Sequence, residues 1–98
     1  MHYLLMYDFV SDYLDRRPAH RAEHLALCRQ AVARGELVAG GAVGDPPSSG
    51  LLLFAGSAEH ADRFAAADPY VRHGLVVRWQ VKPWATVVGI PELVPDPL

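Results

Sequence analysis

Between Pro18 and Arg34 the apolar residues recur at helical spacing, and Leu25, Cys28 and Val32 fall on one narrow arc with Ala31 beside it. Glu23, Ala26, Arg29, Gln30, Ala33 and Arg34 fill the opposite, solvated arc. Pro18 suits a first helical turn and Gly35 a stop, so the pattern predicts a helix over 18–34. Upstream, His2 to Val10 reads as a strand in which Tyr3, Leu5, Tyr7 and Phe9 alternate with His2, Leu4, Met6 and Asp8. Both sets are apolar in the middle, as in a strand covered on both faces. Glu36 to Val43 predicts a second strand, with Gly40 and Gly41 marking a bulge or a close approach. Gly44 to Gly50 is a loop, and Leu51 to Ala55 a short apolar strand. Ser57 caps a second helix whose buried arc is Ala61, Phe64 and Ala65, and Pro69 ends it. Tyr70 to Gly74 is a short turn. Leu75 to Trp84 predicts the last clear strand, with Val77, Trp79 and Val81 on its packed side. Thr86 to Ile90 could add a further strand. Pro91, Pro95 and Pro97 describe an arm or tail, giving a domain over 1–90 and a tail over 91–98.

The order strand, helix, strand, strand, helix, strand favours an α+β ferredoxin-like sandwich, a four-stranded antiparallel sheet with two helices on one face. Two helices cover a single face. The first and third strands are apolar on both sides, so a second subunit's sheet is expected on the other face, giving a homodimer.

Composition narrows the partners. A chain of 98 residues with 51% hydrophobic and 20% charged residues is one ordinary globular domain. A net charge of −2 leaves no electrostatic footprint for nucleic acid or an anionic membrane. The single cysteine, Cys28, fits a reducing cytoplasm, and on an apolar arc it reads as inert packing. The apolar start has no basic flank or cleavage site and is too short to span a bilayer.

His24 is the most suspicious polar residue. It sits on the shoulder of the apolar stripe, one turn after Arg21, and a half-buried imidazole needs a partner. Asp68, four residues after Phe64, lies on the buried arc of the other helix. The two form either a His–Asp pair for general acid–base work, or a packed histidine beside an aspartate that caps the turn opened by Pro69. Arg21 either holds a substrate's carboxylate or phenolate or simply binds Asp68 or a loop carbonyl. His20, Glu23 and His24 match a zinc-protease pattern, but no third ligand stands out on a neighbouring helix. Trp79, Trp84 and Tyr70 could line a ring-shaped pocket, and Asp45 to Ser49 could cover one.

Arg21-x-x-His24-Leu25 with Gly35-x-Leu37, then Gly40 and Gly41, Ala67-Asp68-Pro69-Tyr70 with Gly74-Leu75, and Val81-Lys82-Pro83-Trp84 together resemble the YCII-related (YciI-like) family. The likeness spans nearly the whole chain. It implies a ferredoxin-like fold, usually dimeric, with two sheets packed into a shared barrel. It also implies a site built on a first-helix histidine and the aspartate of Asp-Pro-Tyr, here His24 and Asp68. Arg17-Pro18-Ala19-His20 also resembles the family's arginine–histidine motif; Leu25 and the distance to Gly35 select His24. The chemistry implied is elimination or isomerisation of a small, anionic, ring-derived substrate without metal or organic cofactor, with Arg21 and Tyr70 binding the substrate. Two other classes stay open: a non-catalytic small-ligand-binding or regulatory dimer, and a haem- or oxygen-dependent monooxygenase of the dimeric barrel type.

Overall fold

The computed structural model describes residues 1–95. Its four strands are β1 (His2–Phe9), β2 (Leu37–Val43), β3 (Ser49–Phe54) and β4 (Val76–Trp84). The helices are α1 (Tyr13–Arg16), α2 (Arg21–Ala33), α3 (Ala58–Ala67) and α4 (Pro69–Arg72). All strand pairs are antiparallel in the order β2-β3-β1-β4, the ferredoxin-like arrangement, with β1 paired to both β3 and β4. Leu5 opposes Leu52 on one side and Val81 on the other, which places the odd-numbered set of β1 beneath the helices. Leu5, Phe54, Ala61, Ala65 and Leu75 are fully buried there.

The chain ends its elements where backbone chemistry dictates. Ser57 accepts the Glu59 amide at 3.1 Å and caps α3. Gly35, at φ +74°, closes α2 as the Gly35 and Glu36 amides bond back to the Val32 and Ala31 carbonyls at 2.9 and 3.0 Å. The first helix starts later than its pattern predicts. Pro18 lies in a separate 3₁₀ turn (Arg17–Ala19), and His20 stands as the cap residue before α2. Helical turn α4 occupies most of the stretch expected as a turn, and α1 adds a short helix between β1 and α2. The irregularity expected at Gly40 and Gly41 falls between Leu37 and Ala39.

Two strand expectations fail. Val77 is 64% exposed because the register shifts between Asp8 and Phe9, so that Val76 pairs with Phe9 and is buried in its place; Trp79, on the edge strand β4, is 38% exposed. Thr86 to Ile90 forms no strand; Thr86 instead hydrogen-bonds His2 Nδ1 at 2.7 Å. The following arm folds back, with the Val94 amide on the Ile90 carbonyl at 2.8 Å and Val94 buried. Pro97, part of the expected tail, lies outside the described residues. The face of the sheet away from the helices carries a shallow apolar groove lined by Leu4, Leu51, Leu53 and Trp84. No helix among the described residues is long and apolar enough to cross a membrane.

Candidate active site

The arc read as core on α2 is a cavity wall. Arg21, Leu25, Cys28 and Val32 line a cavity of about 330 Å³ between α2 and the β2–β3 side of the sheet. Val32 is accordingly 54% exposed, and Cys28 is partly exposed rather than sealed in packing. The core contacts of α2 come from Leu27, Ala31 and the inner side of Cys28, with His24 between the two faces. Gly40, Gly41 and Gly50 form part of the cavity's sheet wall, where the missing side chains let Leu52 and the Phe9 ring pack against Gly40 and Gly50. A Cβ at Gly50 would sit 2.9 Å from the Phe9 ring.

His24 and Asp68 meet. His24 Nδ1 donates to Asp68 Oδ1 at 2.8 Å, and the carboxylate is completely buried. Asp68 also caps α4, accepting the Tyr70 amide at 3.0 Å, and it accepts the Tyr7 hydroxyl on Oδ2 at 2.8 Å. Pairing and capping, which the sequence presents as alternatives, are thus one arrangement. Three donors converge on the acceptor-only form of the carboxylate. They fix its orientation, and it fixes the tautomer of His24. His24 stacks face to face on Tyr70, ring centroids 3.8 Å apart and 7° from parallel. Its Nε2 lies 3.6 Å from Cys28 Sγ, one helical turn on.

Burial pulls the His24 pKa down, but the hydrogen bond to Asp68, with help from Cys28, outweighs it and holds the imidazole at about 9. At neutral pH the ring therefore rests as imidazolium. Burial and the Asp68 charge push the Tyr7 hydroxyl far above the usual phenol range, so it stays a donor. Burial and Tyr13 push Tyr70 up to about 12, against the pull of the Arg21 and Arg17 guanidiniums. The Tyr70 hydroxyl is buried and has no hydrogen-bond partner, while its residue lines the cavity. Arg17 and Arg21 border the same space, and Phe9 and Tyr13, stacked at 3.8 Å, close another side.

Not every candidate gathers here. His20 stacks on His73 at 4.3 Å and does not join Asp68. No group of three or more potential ligands among the described residues is placed to hold a metal ion. Trp79 and Trp84 line neither wall of this cavity, and the loop Asp45–Ser49 stays outside it. Sequence reasoning missed Tyr7, Tyr13 and Arg17. Tyr7 had a usable signal, a hydroxyl on the strand face that carries Leu5.

The YCII-related domain model matches residues 1–85. The chain belongs to the YCII-related family. Among curated proteins, none matches it. Among solved structures it is similar to the 5-chloro-2-hydroxyhydroquinone dehydrochlorinase (TftG) of Burkholderia phenoliruptrix AC1100, in complex with 2,5-dihydroxybenzoquinone. The two share 25% sequence identity with a TM-score of 0.67, over 86% of this chain and 93% of the other. The resemblance read over nearly the whole chain, about residues 2–88, thus agrees with the span of the family model.

Proposed function

We propose that this YCII-related protein is a small lyase- or isomerase-type enzyme acting on a small, anionic, ring-derived substrate. The observation that carries the reading is His24, held on Nδ1 by a buried carboxylate and stacked on Tyr70 at the wall of a ring-sized cavity. In this mechanism the neutral form of His24 removes a proton from the substrate through Nε2. Asp68 holds the ring and supports the imidazolium that results. Arg21 orients the substrate's negative group, and Tyr70 offers its stacked ring and an unpartnered hydroxyl. The similar dehydrochlorinase, named for a chlorinated hydroquinone and bound to a quinone, supports this substrate class.

Because His24 rests charged, only roughly one molecule in a hundred carries the neutral base at pH 7. A base of that strength compensates in proton affinity what it lacks in population. The same resting charge favours a second reading, a site that binds an anion without transforming it. Release of chloride from a chlorinated hydroxyhydroquinone separates the two. Wild-type turnover should fall by about 10²–10⁴ in His24→Ala and also in Asp68→Asn. Wild-type rates in either variant, or ligand binding with no consumption by the wild type, would end the mechanism.

We also assign the protein to the cytoplasm and to a homodimer. The dimer reading rests on the apolar groove of the uncovered sheet face, where Leu51 is 37% and Trp84 48% exposed. A second copy packed there would leave the helix-side cavity open to substrate.

A further inference from the structure

Cys28 has no part in the proton transfer just described, yet it occupies a reactive setting. Its sulfur lies 3.6 Å from His24 Nε2, and His24 Nδ1 lies 2.8 Å from Asp68, so thiol, imidazole and carboxylate stand in line. This is the relay by which a histidine takes a thiol proton and keeps the resulting thiolate beside an imidazolium. Cys28 packs against the core on one side, yet it is partly exposed and borders the cavity on the other. A second feature of the cavity points independently to a guest. The Tyr70 hydroxyl is buried without a partner, and an orphaned donor of this kind is normally satisfied. A ligand carbonyl or enolate oxygen would satisfy it, with Arg21 on the same wall to carry negative charge.

We propose that Cys28 is a covalent capture site for conjugated carbonyl ligands, quinones and related enones, that enter this cavity. In the fraction of molecules whose His24 is neutral, the thiol proton passes to His24 Nε2 and leaves a thiolate beside the imidazolium. Sulfur then adds to an electron-poor ring carbon, forming the C–S bond, and the displaced π pair moves onto the carbonyl oxygen. His24 returns its proton to that oxygen. With a quinone, loss of the ring hydrogen from the substituted carbon and protonation of the second oxygen complete a thioether hydroquinone. The two carbonyl carbons are reduced as the sulfur-bearing carbon is oxidised, so no outside oxidant or reductant is needed. The inference rests on the substrate class proposed above but not on turnover. Cys28 would make the protein self-labelling toward reactive members of that class, whether or not they are consumed.

The test is the rate of single-adduct formation on the intact wild-type protein with 1,4-benzoquinone and with N-phenylmaleimide, followed by mass spectrometry and peptide mapping. Glutathione at the same pH is the reference. The expected result is an adduct at Cys28 forming at least about tenfold faster than with glutathione, slowed by a similar factor in His24→Gln. Labelling no faster than glutathione, or adducts mapped elsewhere, would overturn the proposal without recourse to any variant. Labelling that is fast but unchanged in both His24→Gln and Asp68→Asn would overturn the relay. Chloride release by the wild type keeps the two ideas apart: release without labelling at Cys28 would overturn capture and leave the proton-transfer mechanism standing. His24-dependent labelling in a protein without turnover would support capture alone.

Discussion

Replacing Asp68 by asparagine removes the one negative charge beside His24 while preserving shape. In the wild type the imidazole is held at about 9 against an ordinary 6.5. That difference corresponds to roughly 3 kcal/mol of net stabilisation of the charged ring, after the opposing effect of burial, at the usual 1.4 kcal/mol per pH unit. Because the folded-state value lies above the unfolded one, this stability is fully present below pH 6.5 and disappears as pH rises through about 9. In Asp68→Asn burial acts on His24 without its counter-charge, so the folded-state value should drop to the ordinary range or below it. Urea unfolding of both proteins at about pH 6 and about pH 10 reads the effect directly. The expected destabilisation is a few kcal/mol at the lower pH, shrinking by roughly 3 kcal/mol at the higher. Proton NMR of the His24 ring should show titration near 9 moving to 6.5 or lower. A destabilisation independent of pH, or a wild-type His24 titrating at 6.5, would refute the charged pair.

Three further outcomes follow from the same geometry. If His24 acts as a base, kcat/KM should climb with pH to a plateau near 9, whereas a profile falling through 9 would make the imidazolium the working form. Gly50→Val should drive the Phe9 ring into the cavity and abolish ligand binding, at a stability cost of roughly 1–3 kcal/mol, measured by calorimetry and thermal melting; undiminished binding would show that guests sit elsewhere. Leu51→Glu places a charge on the uncovered sheet face; if the proposed dimer forms there, the wild type should sediment as a dimer and the variant as a monomer in sedimentation velocity, and a dimer that survives the change would move the interface to another surface.

The order of elements and the strand pairing were legible because alternation and helical spacing report burial, and burial here follows the layers. Where the reading slipped, an unfilled space was the cause. Leu25, Cys28 and Val32 carry a core-like period on α2, but the volume facing them is open, so a pattern of apolar residues marked a binding wall. Sequence shows which side chains avoid water; it does not show whether protein or ligand replaces it. Asp68 was legible as a pairing group or as a cap, and the backbone of α4 makes it both. Tyr7 was hidden by distance, since its bond to Asp68 joins residues 61 positions apart. Val77 and Trp79 alternate as packed residues do, yet a register shift beside Phe9 gives the buried place to Val76, and the strand lacks a neighbour on one side.

The most direct measurement on the central claim is titration of the protein with 2,5-dihydroxybenzoquinone, an anionic ring at neutral pH, while the ring protons of His24 and Tyr70 are followed by NMR. Both rings should shift together and saturate with a single dissociation constant, and Arg21→Ala should weaken binding by about tenfold or more. Saturable binding that leaves His24 and Tyr70 unmoved, or no binding at all, would contradict a site built on the His24–Asp68 pair.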